Sequence, residues 1–250
     1  MRRAIEQVSD RADRLHVRLN RPHVRNAIDQ AMVDEFHDIA SRLERQARIL
    51  IISGCDGVFA SGADISQLRD RGRDDALAGI NSRIFDRIAQ LPMPVIAAVD
   101  GWALGGGGEL AYAADFRLAS TNARFGNPEA SLGIAAAAGA AWRLVELVGE
   151  PLAKEILIGG RVLDADEAHA AQLVTSVHRP EELDAAAHAL ADRIGEQDPL
   201  AIRLTKALLR MPRDAHPVVD GIAQAVLFES PAKRERMTAF LERRRKDGRS

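Results

Sequence analysis

The sequence predicts an α/β fold, because strand-like runs, glycine-containing loops and helix-like stretches alternate along its first two thirds. Continuous apolar runs at 49–52 and 95–99 are typical of strands that are covered on both faces. Apolar residues spaced by three and four, the period of an amphipathic helix, occupy stretches between such runs. Beyond Pro180 the whole pattern is helical. We therefore predict an α/β core over 1–195 and a helical C-terminal region over 196–250.

The elements of the core follow in chain order. Two segments that alternate polar and apolar residues, at 4–8 and 15–19, predict a hairpin or a meander. The elements after it are a helix at 29–46, a strand at 49–52, a helix containing Leu77, Ile80, Ile84 and Ile88, a strand at 95–99, a helix at 106–114, a strand at 116–120 and a strand at 173–177. Asp164 and Glu167 form a capping-box sequence, which predicts a helix start before the last strand.

The C-terminal region contains two further helix starts. Asp198-Pro199 and Ser230-Pro231 each place a capping residue before a proline at the first helical position. The basic run at 243–246 is interpreted first as a solvated helix end.

The composition disfavours several classes of protein. Aromatic residues make up 4% of the 250 residues, and 34 basic residues face 36 acidic ones, so neither base stacking nor net charge favours nucleic-acid binding. The single cysteine, Cys55, cannot form an intramolecular disulfide, which fits a reducing compartment. The N-terminus lacks the apolar stretch of a signal peptide, and no uncharged run reaches the roughly 18 residues of a membrane helix. We therefore expect a soluble, cytoplasmic protein without a membrane or nucleic-acid partner.

Several common catalytic motifs are absent from the sequence. It contains no phosphate-binding P-loop, no dinucleotide-binding glycine motif after the first strand, no HExxH and no GxSxG. The seven histidines are scattered, so each is expected to be a surface or packing residue, and no metal site is predicted. Kinases, simple dehydrogenases, zinc proteases and α/β hydrolases all lose support.

Two glycine-rich loops remain as a candidate site, with the sequences FASGADI at 59–65 and ALGGGGE at 103–109. Consecutive glycines let a ligand approach the backbone, and a helix that starts among them leaves its first N–H groups free. If each loop directs one amide to the same point, the pair forms an oxyanion hole. Glu109, three residues after Gly106, would then place a carboxylate beside it. The alternative is a tight turn with close helix packing.

Four motifs, in the same order and spacing, resemble the enoyl-CoA hydratase/isomerase (crotonase) superfamily over nearly the whole chain. They are LNRPHVRNA at 19–27, SGAD at 61–64, AVDGWALGGG at 98–107 and FGNPE at 125–129. The resemblance implies a crotonase-like (ClpP/crotonase) spiral of repeated β-β-α units, followed by a helical trimerisation region. The expected assembly is a homotrimer or a dimer of trimers.

The resemblance also implies roles for individual residues. The amides of Ala63 and Gly106 would form the oxyanion hole for the thioester carbonyl, and Glu109 and Glu129 would be the catalytic carboxylates. The implied substrate-binding and CoA-binding residues are Arg25, Ala27, Ala60, Ala63, Asp64, Ile65, Gly105, Gly106 and Pro128. On the C-terminal helices, Phe240 and Arg243 match positions that reach the CoA of a neighbouring subunit.

The implied reaction is syn addition of water to a 2-enoyl-CoA thioester, which gives 3-hydroxyacyl-CoA. Such a hydro-lyase of fatty acid metabolism needs no metal and no cofactor apart from the CoA of its substrate. We hypothesise that Glu109 activates the water and that Glu129 donates the proton to C2. The alternatives are an enoyl-CoA isomerase, another acyl-CoA lyase or hydrolase of the same fold, or a non-catalytic member such as an RNA-binding protein. Having both glutamates favours hydration over isomerisation.

The segment after Glu129 departs from the family's pattern. A proline is replaced by Ala136, two glycines by Ala137 and Ala140, and a glutamine by Trp142. An inward-facing indole would reshape the acyl pocket. Alternatively, Trp142 fills the core on a helix with Leu144 and Val145.

Overall fold

The computed structural model describes residues 3–246 and contains two compact units, which divide after Arg193. The strands, all in the first unit, are β1 (Ile5–Asp10), β2 (Arg14–Leu19), β3 (Ile49–Ser53), β4 (Val58–Ala60), β5 (Val95–Val99), β6 (Trp102–Leu104), β7 (Phe116–Ser120), β8 (Arg124–Gly126), β9 (Leu163–Asp164) and β10 (Ser176–His178). Over residues 3–246, no helix is both long and apolar enough to span a membrane.

The helices connect these strands and form the C-terminal unit. They are α1 (Gln30–Arg45), α2 (Ile65–Asp70), α3 (Arg73–Ala78), α4 (Ile80–Ala89), α5 (Gly106–Ala113), α6 (Ala140–Val148), α7 (Glu150–Leu157), α8 (Ala165–Ala170), α9 (Leu183–Gly195), α10 (Pro199–Leu208), α11 (Val218–Phe228) and α12 (Pro231–Lys246). Short 3-10 turns supplement them, one of which, Pro128–Leu132, lies at the candidate site.

Two sheets organise the first unit. The larger has the strand order β1-β2-β3-β5-β7-β10, in which only the β1–β2 hairpin is antiparallel. The smaller has the order β4-β6-β8-β9, with β9 antiparallel to β8. A strand of the larger sheet, a strand of the smaller sheet and then a helix recur three times, beginning at β3, β5 and β7. This is the predicted β-β-α repeat, and it places successive loops at one edge of the smaller sheet.

The core lies around the central parallel strands. All five residues of β5 are buried, as expected for a strand covered on both faces. On α1, Met32, Phe36 and Leu43 are fully buried, which confirms the helical period read from the sequence. Asp29 caps this helix by accepting a hydrogen bond from the Met32 N–H at 2.9 Å.

One predicted helix is divided in two. The helix expected to contain Leu77 and Ile80 breaks at Gly79, which separates α3 from α4. Gly79 has a φ of 64°, a left-handed conformation that ends α3 and that residues with a β-carbon rarely adopt. Leu77 is consequently exposed, while Ile84 and Ile88 of α4 pack in the core.

The last predicted strand begins three residues later than expected. The N–H groups of Leu173 and Val174 bond back to the carbonyl of Ala168 at the end of α8. The Leu173 carbonyl accepts a hydrogen bond from the buried guanidinium of Arg117 at 2.7 Å. Because these groups are already engaged, pairing with β7 starts only at Ser176.

Both predicted helix starts in the second unit are confirmed. The Asp198 side chain accepts from the Ala201 N–H at 2.8 Å at the start of α10, and the Ser230 hydroxyl accepts from the Lys233 N–H at 3.4 Å before α12. The basic residues at 243–246 are exposed at the end of α12.

Candidate active site

A cavity of about 440 Å³ opens in the first unit where the segments after β4, β6 and β8 come together. Its lining includes residues 61–63, residues 105–106 at the start of α5, and both Glu109 and Glu129. The sequence-predicted oxyanion-hole residues and both predicted carboxylates therefore line one space.

The loop after β4 directs the amide of Ala63 toward α5. Ile28 donates its N–H to the Gly62 carbonyl at 2.8 Å, and Asp64 donates to the Ile28 carbonyl at 2.9 Å. These bonds form a parallel bridge between Ala63 and Ile28, which leaves the Ala63 N–H free of it. A methyl group added at Gly106 would lie 3.4 Å from the Ala63 nitrogen, so the two loops meet here.

The glycine run at 105–108 has two roles: some of its glycines allow close helix packing, and others open the backbone to the cavity. A β-carbon at Gly107 would lie 2.2 Å from the Ala60 carbonyl oxygen, so this glycine is required for close packing of α5 on β4. Gly105 and Gly106 instead face the cavity. The first N–H of α5 has no intrahelical acceptor, because it precedes the first full turn.

The amides of Ala63 and Gly106 are available to a ligand. Neither donates a hydrogen bond to another residue within 3–246. The helix dipole adds partial positive charge at the start of α5. Two fixed, free donors at a helix N-terminus can hold an oxygen on which negative charge develops.

Glu109 is a buried carboxyl held by the chain after the 3-10 turn. It is 4% exposed, and its Oε1 accepts hydrogen bonds from the N–H groups of Ala138 at 2.7 Å and Ala140 at 3.1 Å. Burial raises the pKa of Glu109 to about 7, and the charge of Glu129 acts in the same direction. The two N–H groups oppose this rise, since they favour the ionised form.

Glu129 enters the cavity from the 3-10 turn after β8. Its side chain lies beside the start of α5: a methyl group placed on Gly105 would be 3.0 Å from Glu129 Oε1. Burial raises the pKa of this carboxyl too. Its Oε2 is buried without a hydrogen-bond partner among the described residues. A buried oxygen of this kind is suited to carrying a proton or meeting a ligand.

Asn127 is a site residue that the sequence analysis missed. Its amide nitrogen lies 3.5 Å from Glu129 Oε1 and 3.4 Å from the Gly105 carbonyl, and its oxygen accepts from the Tyr112 hydroxyl at 3.1 Å. The side chain thereby links Glu129 to the start of α5. Its position two residues before Glu129 in FGNPE was the only available signal.

Arg143 was missed as well. This buried side chain pairs with Asp86, and its guanidinium lies 3.5 Å from the Ala138 carbonyl. It thus supports the segment whose N–H groups bind Glu109. No motif distinguished it from other arginines.

The remaining predicted binding residues fall into two groups. Ile65 and Pro128 line the cavity together with Gly105. The other four support its loops or lie behind them, and they are Arg25, Ala27, Ala60 and Asp64. The Arg25 carbonyl, for example, accepts from the Ser61 N–H at 3.1 Å. Phe240 is exposed on α12, as is Arg243.

Both expectations for Trp142 are wrong. The indole is 49% exposed and does not line the cavity. The Arg143 guanidinium lies over its ring at 4.1 Å, a cation–π contact. Trp142 occupies the outer face of α6, whereas Leu144 of the same helix is fully buried.

Comparisons with known proteins agree with this geometry. The model of the enoyl-CoA hydratase/isomerase family matches residues 12–248. The chain is 38% identical over 236 residues to the crotonyl-CoA hydratase of Syntrophomonas wolfei, covering 91% of each. It is 36% identical over 248 residues to the short-chain-enoyl-CoA hydratase of Clostridium acetobutylicum, covering 93% of this chain and 92% of that protein.

Solved structures show the same fold. The enoyl-CoA hydratase of Bacillus anthracis superposes with a TM-score of 0.90 at 29% identity, covering 96% of each chain. That of Thermoplasma volcanium gives 0.87 at 31% identity, covering 95% of this chain and 97% of its own. The predicted crotonase-like fold is thereby confirmed, and the chain belongs to the enoyl-CoA hydratase/isomerase family.

Proposed function

We propose that the protein is an enoyl-CoA hydratase, a lyase that adds water syn to a 2-enoyl-CoA and releases 3-hydroxyacyl-CoA. The observation that carries the proposal is that two buried glutamates share one cavity with two free backbone amides. The names of the relatives, crotonyl-CoA hydratase and short-chain-enoyl-CoA hydratase, support it.

The amides of Ala63 and Gly106 bind the thioester oxygen in this proposal. Attack of water at C3 moves negative charge onto that oxygen. Because both donors are fixed before charge develops, the protein does not have to reorganise during the step. Removing one such donor raises the barrier by about 3 kcal/mol in comparable sites.

The two carboxyls have opposite roles in proton transfer, one as base and the other as acid. Glu109, whose pKa is about 7, is partly ionised at neutral pH and accepts a proton from the attacking water. Both backbone N–H groups bind its Oε1, so Oε2 is the oxygen that takes up the proton. Glu129 is protonated in the reactive state and delivers its proton to C2. The charge of one carboxylate disfavours ionisation of the other, which keeps one acid and one base.

The same cavity accommodates the acyl group in this proposal. Its lining includes apolar side chains, among them Leu68, Ile80, Leu132 and Ile134. We propose that the acyl chain is apolar and that the CoA part crosses the loops at Ile65 and Pro128. No cofactor beyond the CoA of the substrate is proposed, and a cytoplasmic location stays a prediction from the sequence.

A homotrimer or a dimer of trimers is proposed as the assembly. Support comes from α11, on which Val218, Ile222 and Val226 are exposed at intervals of four residues. Such a spacing forms one apolar face of the helix, and exposed apolar faces of this kind commonly mark contacts between chains.

A panel of thioesters tests the proposed reaction. Crotonyl-CoA, longer and branched 2-enoyl-CoAs and a 3-enoyl-CoA are each incubated with the protein, and the products are identified by mass. We expect hydration of at least one 2-enoyl-CoA. Folded protein that hydrates none of them would contradict the proposal, whereas conversion of only the 3-enoyl-CoA would indicate an isomerase.

Substitutions test the assigned roles. Glu109→Gln and Glu129→Gln should each lower turnover by about 10²–10⁴-fold while binding of the thioester survives. Glu146→Gln, an exposed position on α6, is the matched control and should keep wild-type turnover. Gly106→Pro removes one amide donor, so unchanged activity would exclude the proposed hole.

A further inference from the structure

Three side chains outside the cavity bring metal-binding atoms together. They are His16 on β2 and the pair Asp184 and His188, which lie one turn apart on α9. One ligand atom from each lies within 4.8 Å of the other two. Since all three precede Arg193, the cluster lies within the first unit.

Buried imidazole nitrogens in this cluster lack hydrogen-bond partners. His16 is 2% exposed, and its Nδ1 forms no hydrogen bond with any described residue. The same holds for the buried Nδ1 of His188. Leaving such atoms buried and unsatisfied is costly. Two of them on neighbouring rings, whose centroids are 5.4 Å apart, therefore indicate a binding site.

The surroundings hold His16 ready to bind a ligand through Nδ1. Its Nε2 lies 2.9 Å from the Ser53 hydroxyl. When this hydroxyl accepts a hydrogen bond from Nε2–H, the lone pair of the neutral ring is on Nδ1. The Nδ1 atom faces Asp184 Oδ1 at 3.4 Å.

The helix that carries the other two side chains is tied to the same strand. Arg14 of β2 donates a hydrogen bond to the His188 carbonyl at 2.9 Å and pairs with Asp192 one turn further along α9. These contacts fix the distance between strand and helix. The strand and the helix that carry the three residues are therefore held together before any ion arrives.

We propose that His16, Asp184 and His188 bind a divalent transition-metal ion, zinc foremost. Two imidazoles and one carboxylate are typical zinc donors, with bonds of about 2.0–2.2 Å. Tetrahedral geometry at that bond length separates neighbouring ligand atoms by about 3.4 Å, which is the distance between His16 Nδ1 and Asp184 Oδ1. The ligand atom of His188 lies within 4.8 Å of the other two, so it has to move closer to the ion to complete the set.

The ion would reach the site through Asp184, whose side chain is 66% exposed. Three protein ligands leave a coordination position for water. An ion bound to these three side chains links β2 to α9 and stabilises the first unit. The scattered histidines of the sequence gave no indication of this site, because only the fold brings β2 next to α9.

Zinc binding to protein without an affinity tag, stripped of metal by a chelator, tests the proposal. Calorimetric titration with zinc chloride should show one ion per chain, and cobalt(II) should give the visible absorption of a tetrahedral site. Magnesium should not compete, since it prefers oxygen ligands. At about 100 times the dissociation constant, zinc should raise the melting temperature by roughly 5–10 °C.

Variants assign the binding to these residues. Asp184→Ala and His188→Ala, both at partly exposed positions, should each weaken zinc binding at least about tenfold, and Ser53→Ala by roughly 10–100-fold through loss of support for His16. His169→Ala, an exposed histidine on α8, is the control and should bind as wild type. Absence of saturable zinc binding by the wild-type chain, or wild-type affinity in Asp184→Ala and His188→Ala, would overturn the proposal.

Discussion

The buried carboxyl of Glu109 should make the stability of the protein depend on pH. Its pKa rises from 4.5 to about 7 in the folded chain, first because of burial. Between these two values the folded state keeps a proton that the unfolded state has released. Stability falls with rising pH wherever the folded state binds more protons. The free energy of unfolding should therefore decrease as the pH rises from about 4.5 to about 7.

The size of this effect follows from the shift. A difference of about 2.5 pKa units (7 minus 4.5), at roughly 1.4 kcal/mol per unit, corresponds to about 3 kcal/mol over the full range. Between about pH 5 and about pH 8 the loss is about 2.5 kcal/mol. Glutamine at this position does not titrate, yet its carbonyl oxygen can still accept from the N–H groups of Ala138 and Ala140. Glu109→Gln should thus gain about 2.5 kcal/mol relative to wild type over this interval.

Urea unfolding of wild type and Glu109→Gln at both pH values measures the effect. At each pH the free energy of unfolding of wild type is subtracted from that of Glu109→Gln, and the two differences are compared. Groups that titrate alike in both chains then cancel. Glu146→Gln, at an exposed position on α6, is the matched control for the loss of one carboxyl. A change below about 1 kcal/mol, or one that favours wild type at the higher pH, would refute the assignment of Glu109 as a buried carboxyl with a raised pKa.

Two further substitutions test the packing and the positioning of the site. Gly107→Ala should destabilise the fold by about 3 kcal/mol, because the added methyl group would collide with the Ala60 carbonyl. The control is Gly221→Ala on α11, where the methyl group meets open space, and it should be neutral or stabilising by up to about 1 kcal/mol. Equal denaturation midpoints for the two variants would contradict this prediction. Asn127→Ala removes a hydrogen bond that lowers the pKa of Glu129. The limb of the kcat/KM pH profile that reports Glu129 should move to higher pH, and an unmoved limb would show that Asn127 does not tune it.

The elements that the sequence predicted well are those that depend on residues close together in the chain. The hairpin, the strand at 95–99 and the strand at 116–120 were found at their expected positions. The capping box of Asp164 and Glu167 is present with both hydrogen bonds, at 2.9 and 3.0 Å. Such patterns depend on residues a few positions apart, so the sequence alone carries them.

The errors had causes that lie far along the chain or in a single backbone angle. The helix expected through Leu77 breaks at Gly79, because helical spacing does not reveal a left-handed φ. The strand expected from Leu173 begins later, since Arg117 engages its carbonyl. Trp142 faces outward, although its apolar neighbours suggested otherwise.

The sequence by itself determined the alternation of strands and helices in an α/β core, the two glycine-rich loops and the spacing that places Glu109 one turn after Gly106. Those features follow from periodicity, glycine content and helix geometry, which are local properties. Only the tertiary structure decided that Asn127 supports Glu129 and that burial raises the pKa of both carboxyls. It also brought His16 against α9. Burial and electrostatics depend on which distant segments pack together, and no local pattern encodes that contact.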